Sequence, residues 1–111
     1  MKIEVNTKIF DQLVNEHQLF EKTYALMCGY LKAWYNEVPE DFLEEIGVDF
    51  DAMLDTYDFQ NSLIALGYNY VQETNYIVCS IHIHDEETRY WGEYKAFFDY
   101  NLEFIEDILT K

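Results

Sequence analysis

His82 and His84 lie two residues apart and are followed at once by Asp85, Glu86 and Glu87. Side chains at i and i+2 of a strand share one face. Neutral imidazole with carboxylate is a donor set for Zn²⁺, Mn²⁺ or Fe²⁺. His82 and His84 are therefore the candidate metal ligands, and Glu93 on the next predicted strand would be a third. Histidine pairs on exposed strand faces are common without metal, and the one other histidine, His17, falls in the apolar stripe of a predicted helix. The expectation is a solvent or packing face, with no cofactor.

Other reactive constellations fail on spacing. Asp49, Asp51 and Asp55 suggest a calcium loop, but the turn glycine is missing and position twelve is Gln60 rather than Glu. The only serines, Ser62 and Ser80, sit in no nucleophile elbow. Cys79 and His82 fall on opposite faces of one strand, which disfavours a Cys/His pair. With 22 acidic residues in the chain, any single carboxylate pair is uninformative for glycoside chemistry. A protein that is not an enzyme is expected.

The strongest signal is electrostatic. From Ala33 to Thr88 there is no lysine or arginine, while thirteen carboxylates run from Glu37 to Glu87. Asp51, Asp55 and Asp58 would share one face of a helix at i, i+4 and i+7, and Asp41, Glu44 and Glu45 repeat the arrangement one helix earlier. Like charges at i, i+4 cost a few tenths of a kcal/mol per pair, with β-carbons ~5–6 Å apart. That spacing is comparable with phosphates along one nucleic-acid strand. The alternative is a solvated face that keeps the chain soluble. These six carboxylates are the candidate partner-binding residues.

The elements that would hold them follow from periodicity. Phe10, Leu13, His17, Phe20, Tyr24, Met27, Leu31 and Trp34 recur at spacings of three and four, which predicts a long N-terminal helix over Lys8–Tyr35, weakest at Gly29. Pro39 and Gly47 bracket a short helix, and Asp49 caps another over Phe50–Leu66. From Tyr68 the pattern alternates. Strands are expected at Tyr68–Gln72, at Tyr76–His84 with Ile77, Cys79, Ile81 and Ile83 on one face, and at Arg89–Asp99 with Trp91, Glu93, Lys95 and Phe97 on one side. Met1–Val5 reads as a weak edge strand, and Leu102–Thr110 fits a helix or a strand equally. The predicted fold is α+β: one long and two shorter acidic helices packed on an antiparallel meander of three or four strands, in a single domain over 1–111. Its helical half would span about 6–66 and its β half 67–111.

Composition bounds the partners. The chain has 111 residues, 50% of them apolar, with ten tyrosines, eight phenylalanines and two tryptophans. That content specifies a core in spite of a net charge of -15. Cys28 and Cys79 lie in apolar segments and read as buried free thiols. No apolar stretch suits a leader or a membrane span, so a cytoplasmic location is expected. Nucleic acid and anionic membranes repel such a surface directly, whereas a basic protein is attracted to it. Carboxylates beside tyrosine suit arginine-rich surfaces.

In composition, though in no aligned motif, the chain resembles two groups of small, acidic, tyrosine-rich proteins. One is the phage or mobile-element inhibitors that mimic DNA or RNA to block restriction or CRISPR effectors. The other is the immunity proteins of basic nuclease toxins. The resemblance implies an inhibitor that occupies the nucleic-acid-binding site of a basic protein, and it transfers no residue roles. The alternatives are an immunity protein, an interaction module acting through aromatic surface or as a homodimer along the long helix, and a small metalloprotein using His82 and His84.

Overall fold

Alternation in the second half of the chain builds the sheet against which everything else packs. The computed structural model, which describes residues 1–111, has four antiparallel strands in the order β1-β2-β3-β4: β1 (Asp58–Asn69), β2 (Thr74–His84), β3 (Tyr90–Phe98) and β4 (Phe104–Thr110). Ile77, Cys79, Ile81 and Ile83 of β2 pair in register with Phe98, Ala96, Tyr94 and Gly92 of β3, and all eight are buried. The helices cover this face, so the class is α+β, as the change of period from 3.6 to 2 predicts.

The segment expected as one helix over Lys8–Tyr35 folds as two. α1 (Lys8–Asp11) runs into a π-helical turn over Gln12–Glu16. Gln18 then takes a left-handed conformation with φ 51°, and α2 (Leu19–Glu37) starts afresh. The break lies here and not at Gly29, which stays inside α2. An unbroken stripe would carry His17 into the core. The restart leaves His17 exposed and makes Leu19, Thr23, Met27 and Leu31, spaced by four, the buried row.

α3 (Pro39–Ile46) has its proline in the first turn and ends at Gly47, whose φ of 91° suits glycine. α4 (Phe50–Thr56) is capped by Asp49, whose Oδ1 accepts from the Ala52 amide at 2.8 Å. The helix expected to continue to Leu66 stops at Thr56. Residues 58–69 form β1 instead, paired with β2 from Asp58↔His84 to Asn69↔Thr74. Leu63, Ile64, Ala65 and Leu66 form a short apolar run that suits either period, and the long β2 ladder decides it. The helical half therefore ends near Tyr57 rather than at 66, and residues 70–72, expected in a strand, join Glu73 in the β1–β2 turn.

Two further expectations change. Met1–Val5 adopts no regular structure, and the ambiguous C-terminal segment is strand β4, paired with β3. A register shift between Ile83 and His84 also sets Trp91 apart from Glu93, Lys95 and Phe97. Trp91 turns to the helical side, with its ring centroid 6.4 Å from that of Trp34 on α2.

The core joins Leu13 and the α2 row to Phe42 and Ile46 of α3, Met53 of α4 and the inner faces of β2 and β3. Tyr94 is fully buried within it, and its hydroxyl donates to Asp107 Oδ2 at 2.7 Å. The molecule measures 48 × 28 × 28 Å. No helix is long and apolar enough to cross a membrane.

Candidate functional site

The order of the elements gathers the acidic run at one end. α2 ends at Glu37 beside α3, α3 leads into α4, and α4 leads into the start of β1, whose Asp58 lies opposite His84 at the end of β2. The β2–β3 turn with Asp85, Glu86 and Glu87 follows directly. Tyr57 ties these parts together. Its hydroxyl donates to the Ile46 carbonyl at 2.7 Å, and its pKa is raised first by burial and then by the nearby charges of Asp85 and Glu86. Of the thirteen carboxylates between Glu37 and Glu87, only Glu73 lies at the opposite end, in the β1–β2 turn.

Three cations attend this end. Arg89 pairs with Asp85 at 3.2 Å and with Glu87 at 3.1 Å. Asp85 is held below the usual carboxylate range, chiefly by the Arg89 backbone amide and further by the Glu87 amide and the Arg89 charge. Lys111 pairs with Glu45 and sits over the Trp91 ring, 5.5 Å from its centroid. Lys32 of α2 shares a shallow recess with Asp49 and Asp51.

The six candidate carboxylates have distinct situations. Asp41 accepts from Trp34 Nε1 at 2.9 Å, and Glu45 is paired with Lys111. Glu44, Asp51 and Asp55 are exposed and belong to none of the five ion pairs. Asp58 does not extend the row of Asp51 and Asp55, because α4 has ended and Asp58 opens β1, where its Oδ2 accepts from Gln60 Nε2 at 3.1 Å.

Helix electrostatics sorts these residues. Glu40, Asp41 and Asp51 lie in first turns, where the helix dipole favours a negative charge. Glu44 and Glu45 lie in the last turn of α3, and Asp55 lies in the last turn of α4. Neither of those turns holds a basic residue. There the dipole opposes the carboxylate. Folding accounts for the first group and, through the Lys111 pair, for Glu45, but not for Glu44 or Asp55.

No family model, curated protein or solved structure matches this chain. The site is therefore read from its own chemistry.

The histidine pair lies on the sheet face away from the helices. His82 Nε2 is 3.2 Å from Glu93 Oε2, and Glu93 Oε1 is 3.4 Å from Lys95 Nζ. The His84 ring lies 6.4 Å from that of His82, and Tyr90 stands edge-on to both. No group of three or more His, Cys, Asp or Glu side chains is arranged to hold a metal ion. His84 Nδ1 and the Oγ of Ser80 are buried without a hydrogen-bond partner.

Sequence reasoning missed two contributors. The Asp85–Glu87 turn joins the acidic end only through the β2–β3 hairpin, although it belongs to the same cation-free run. Trp34 and Trp91 also meet there: Trp34 packs on Phe42 at 4.9 Å, and Trp91 Nε1 donates to the Glu45 carbonyl at 3.4 Å. No local spacing signals that meeting of α2, α3 and β3.

Proposed function

We propose that this protein is a binding protein and not an enzyme, an inhibitor whose acidic end occupies the nucleic-acid-binding site of a basic partner. The observation that carries this reading is the placement of Glu44 and Asp55, both exposed and in no ion pair, in last helical turns that hold no basic residue. A surface shaped only for solubility would gain from lysines at those positions. The acidic end instead gathers twelve of thirteen carboxylates, from the last residue of α2 through α3 and α4 to the first residue of β1 and the β2–β3 turn. Such a field steers a cationic groove onto it and speeds the encounter. Nucleic-acid-binding grooves are built of Lys and Arg that neutralise phosphates, so they match it in sign.

The test is capture from a lysate at low salt, eluted with a salt gradient and separately with excess DNA or RNA. Partners released by moderate salt and by nucleic acid, and lost when Glu44→Gln and Asp55→Asn are combined, support the reading. Retention that ignores both salt and those substitutions refutes it. Trp34 and Trp91 supply an internal reporter, because a partner seated on α3 should alter their emission.

A further inference from the structure

We propose that the aromatic trough at the β1–β2 turn end of the open sheet face is a recognition site for an arginine side chain of a protein partner. The trough has a volume of about 460 Å³ and draws residues from all four strands. Tyr68 and Tyr70 meet edge to face, with centroids 5.0 Å apart. Tyr76 and Phe97 lie side by side, with centroids 6.1 Å apart and planes inclined at 46°. Glu106 of β4 stands opposite Phe97 in the ladder and belongs to no ion pair.

Gly67 makes the arrangement fit. A β-carbon there would come within 2.1 Å of the Tyr76 ring, so the ring rests where a side chain of β1 would otherwise stand. No lysine or arginine lines the trough. Lys95, two residues from Phe97 on the same face, reaches instead toward Glu93. The walls are open to solvent, Tyr70 being 86% exposed and Tyr68 48%.

Aromatic faces are negative, and a cation placed over them is attracted. Guanidinium suits this site better than ammonium. It is planar, weakly hydrated and able to stack on the rings, while its N–H fork reaches a carboxylate such as Glu106. The same rings would also stack a nucleobase, but Glu106 and the net charge of -15 repel the phosphates that accompany one. The trough is open and crosses several strands, which suits a side chain presented by a protein. It lies at the opposite end of the sheet from α3 and α4 and does not depend on the reading of the acidic end.

The test is an NMR titration of the full chain with N-acetyl-arginine methylamide at physiological salt, with the lysine analogue in parallel. The expected result is saturable shifts at the amides of Tyr76, Phe97 and Glu106, with the arginine probe binding more tightly than the lysine probe. Glu106→Gln and Phe97→Leu should each weaken it by about two- to five-fold, the size of one exposed cation–π or ion-pair contact. The combined Glu44→Gln and Asp55→Asn variant should bind the probe as wild type does. Shifts confined to α3 and α4, no saturable shift, equal response to both probes, or indifference to both trough variants would each overturn the proposal. If Phe97→Leu fails to fold, Glu106→Gln, at an exposed position on an edge strand, decides alone.

Discussion

Removing two carboxylates from helix C-termini should stabilise this protein. Glu44 sits in the last turn of α3, four residues after Glu40 and three after Asp41. Asp55 sits in the last turn of α4, four residues after Asp51. A carboxylate at a helix C-terminus costs about 0.3–1 kcal/mol, and each like-charged neighbour adds about 0.2–0.5 kcal/mol. Neutralising Asp55 relieves one contribution of each kind, and neutralising Glu44 relieves the dipole cost and two pairs. The combined Glu44→Gln and Asp55→Asn variant should gain about 1–3 kcal/mol at low salt. For a domain of this length that raises Tm by about 4–12 °C. Circular dichroism melts at low and high salt measure it, and the gain should shrink as salt screens the repulsion. Asp49→Ala is the internal contrast, because losing the α4 cap should cost about 0.5–2 kcal/mol. A double variant less stable than wild type, or a gain indifferent to salt, would refute the electrostatic account of these helices.

Further outcomes follow from the core and the sheet. Tyr94→Phe should cost about 1.5–3 kcal/mol at neutral pH by leaving the half-buried Asp107 without its donor. Burial, the Asp107 hydrogen bond and the Asp107 charge all raise the Tyr94 pKa. The stability that neutral Tyr94 confers is whole below about pH 10, its unfolded value, and is lost as pH rises above that. Urea unfolding from pH 9 to 11 should therefore fall more steeply for wild type than for Tyr94→Phe, by up to about 1.4 kcal/mol per pH unit. Cys79 is fully buried, and its pKa is pushed up to about 11 by that burial, so a thiol reagent should label Cys28 first and reach Cys79 only on unfolding. Gly92→Ala should fray β4, because a β-carbon there meets the Thr110 carbonyl oxygen at 2.3 Å; the loss, read by urea unfolding, should be about 1–3 kcal/mol.

The legible parts of the fold were those where one period ran unopposed. β2 alternates cleanly from Ile77 to Ile83, and its buried face is the expected one. Pro39, Gly47 and Asp49 mark the ends of α3 and α4 because each acts through its own backbone conformation or a neighbouring amide. What was not legible depended on distant partners. Residues 58–66 carry an apolar run that either period accommodates, and only the ladder to β2 makes it a strand. The break at Gln18 is invisible in a stripe that continues on both sides of it, since a π-helical turn shifts the face without changing residue types. Alternation places Trp91 on the wrong face because it counts residues, and the ladder shift beside Gly92 moves that count. For the acidic site, the cation-free run predicts the composition, while the approach of the β2–β3 turn to Tyr57, itself bonded to the end of α3, sets the shape.

The two ends of the molecule share one property. Each keeps a residue that local folding preference argues against. At one end Glu44 and Asp55 oppose their helix dipoles. At the other, Gly67 interrupts β1, where glycine weakens a strand. The glycine is not needed for backbone strain, since the obstacle to a side chain is the outer part of the Tyr76 ring. That ring can swing aside, so Gly67→Ala should leave the fold's stability nearly unchanged while displacing the Tyr76 face of the trough. If Gly67→Ala unfolds the protein, the glycine serves the sheet and the argument for a shaped trough loses its support. If the variant stays folded and loses the arginine-dependent shifts at Phe97 and Glu106, the glycine serves the surface. Local choices that cost stability without improving packing are where binding is to be sought, and here they lie at opposite ends of a 48 Å molecule.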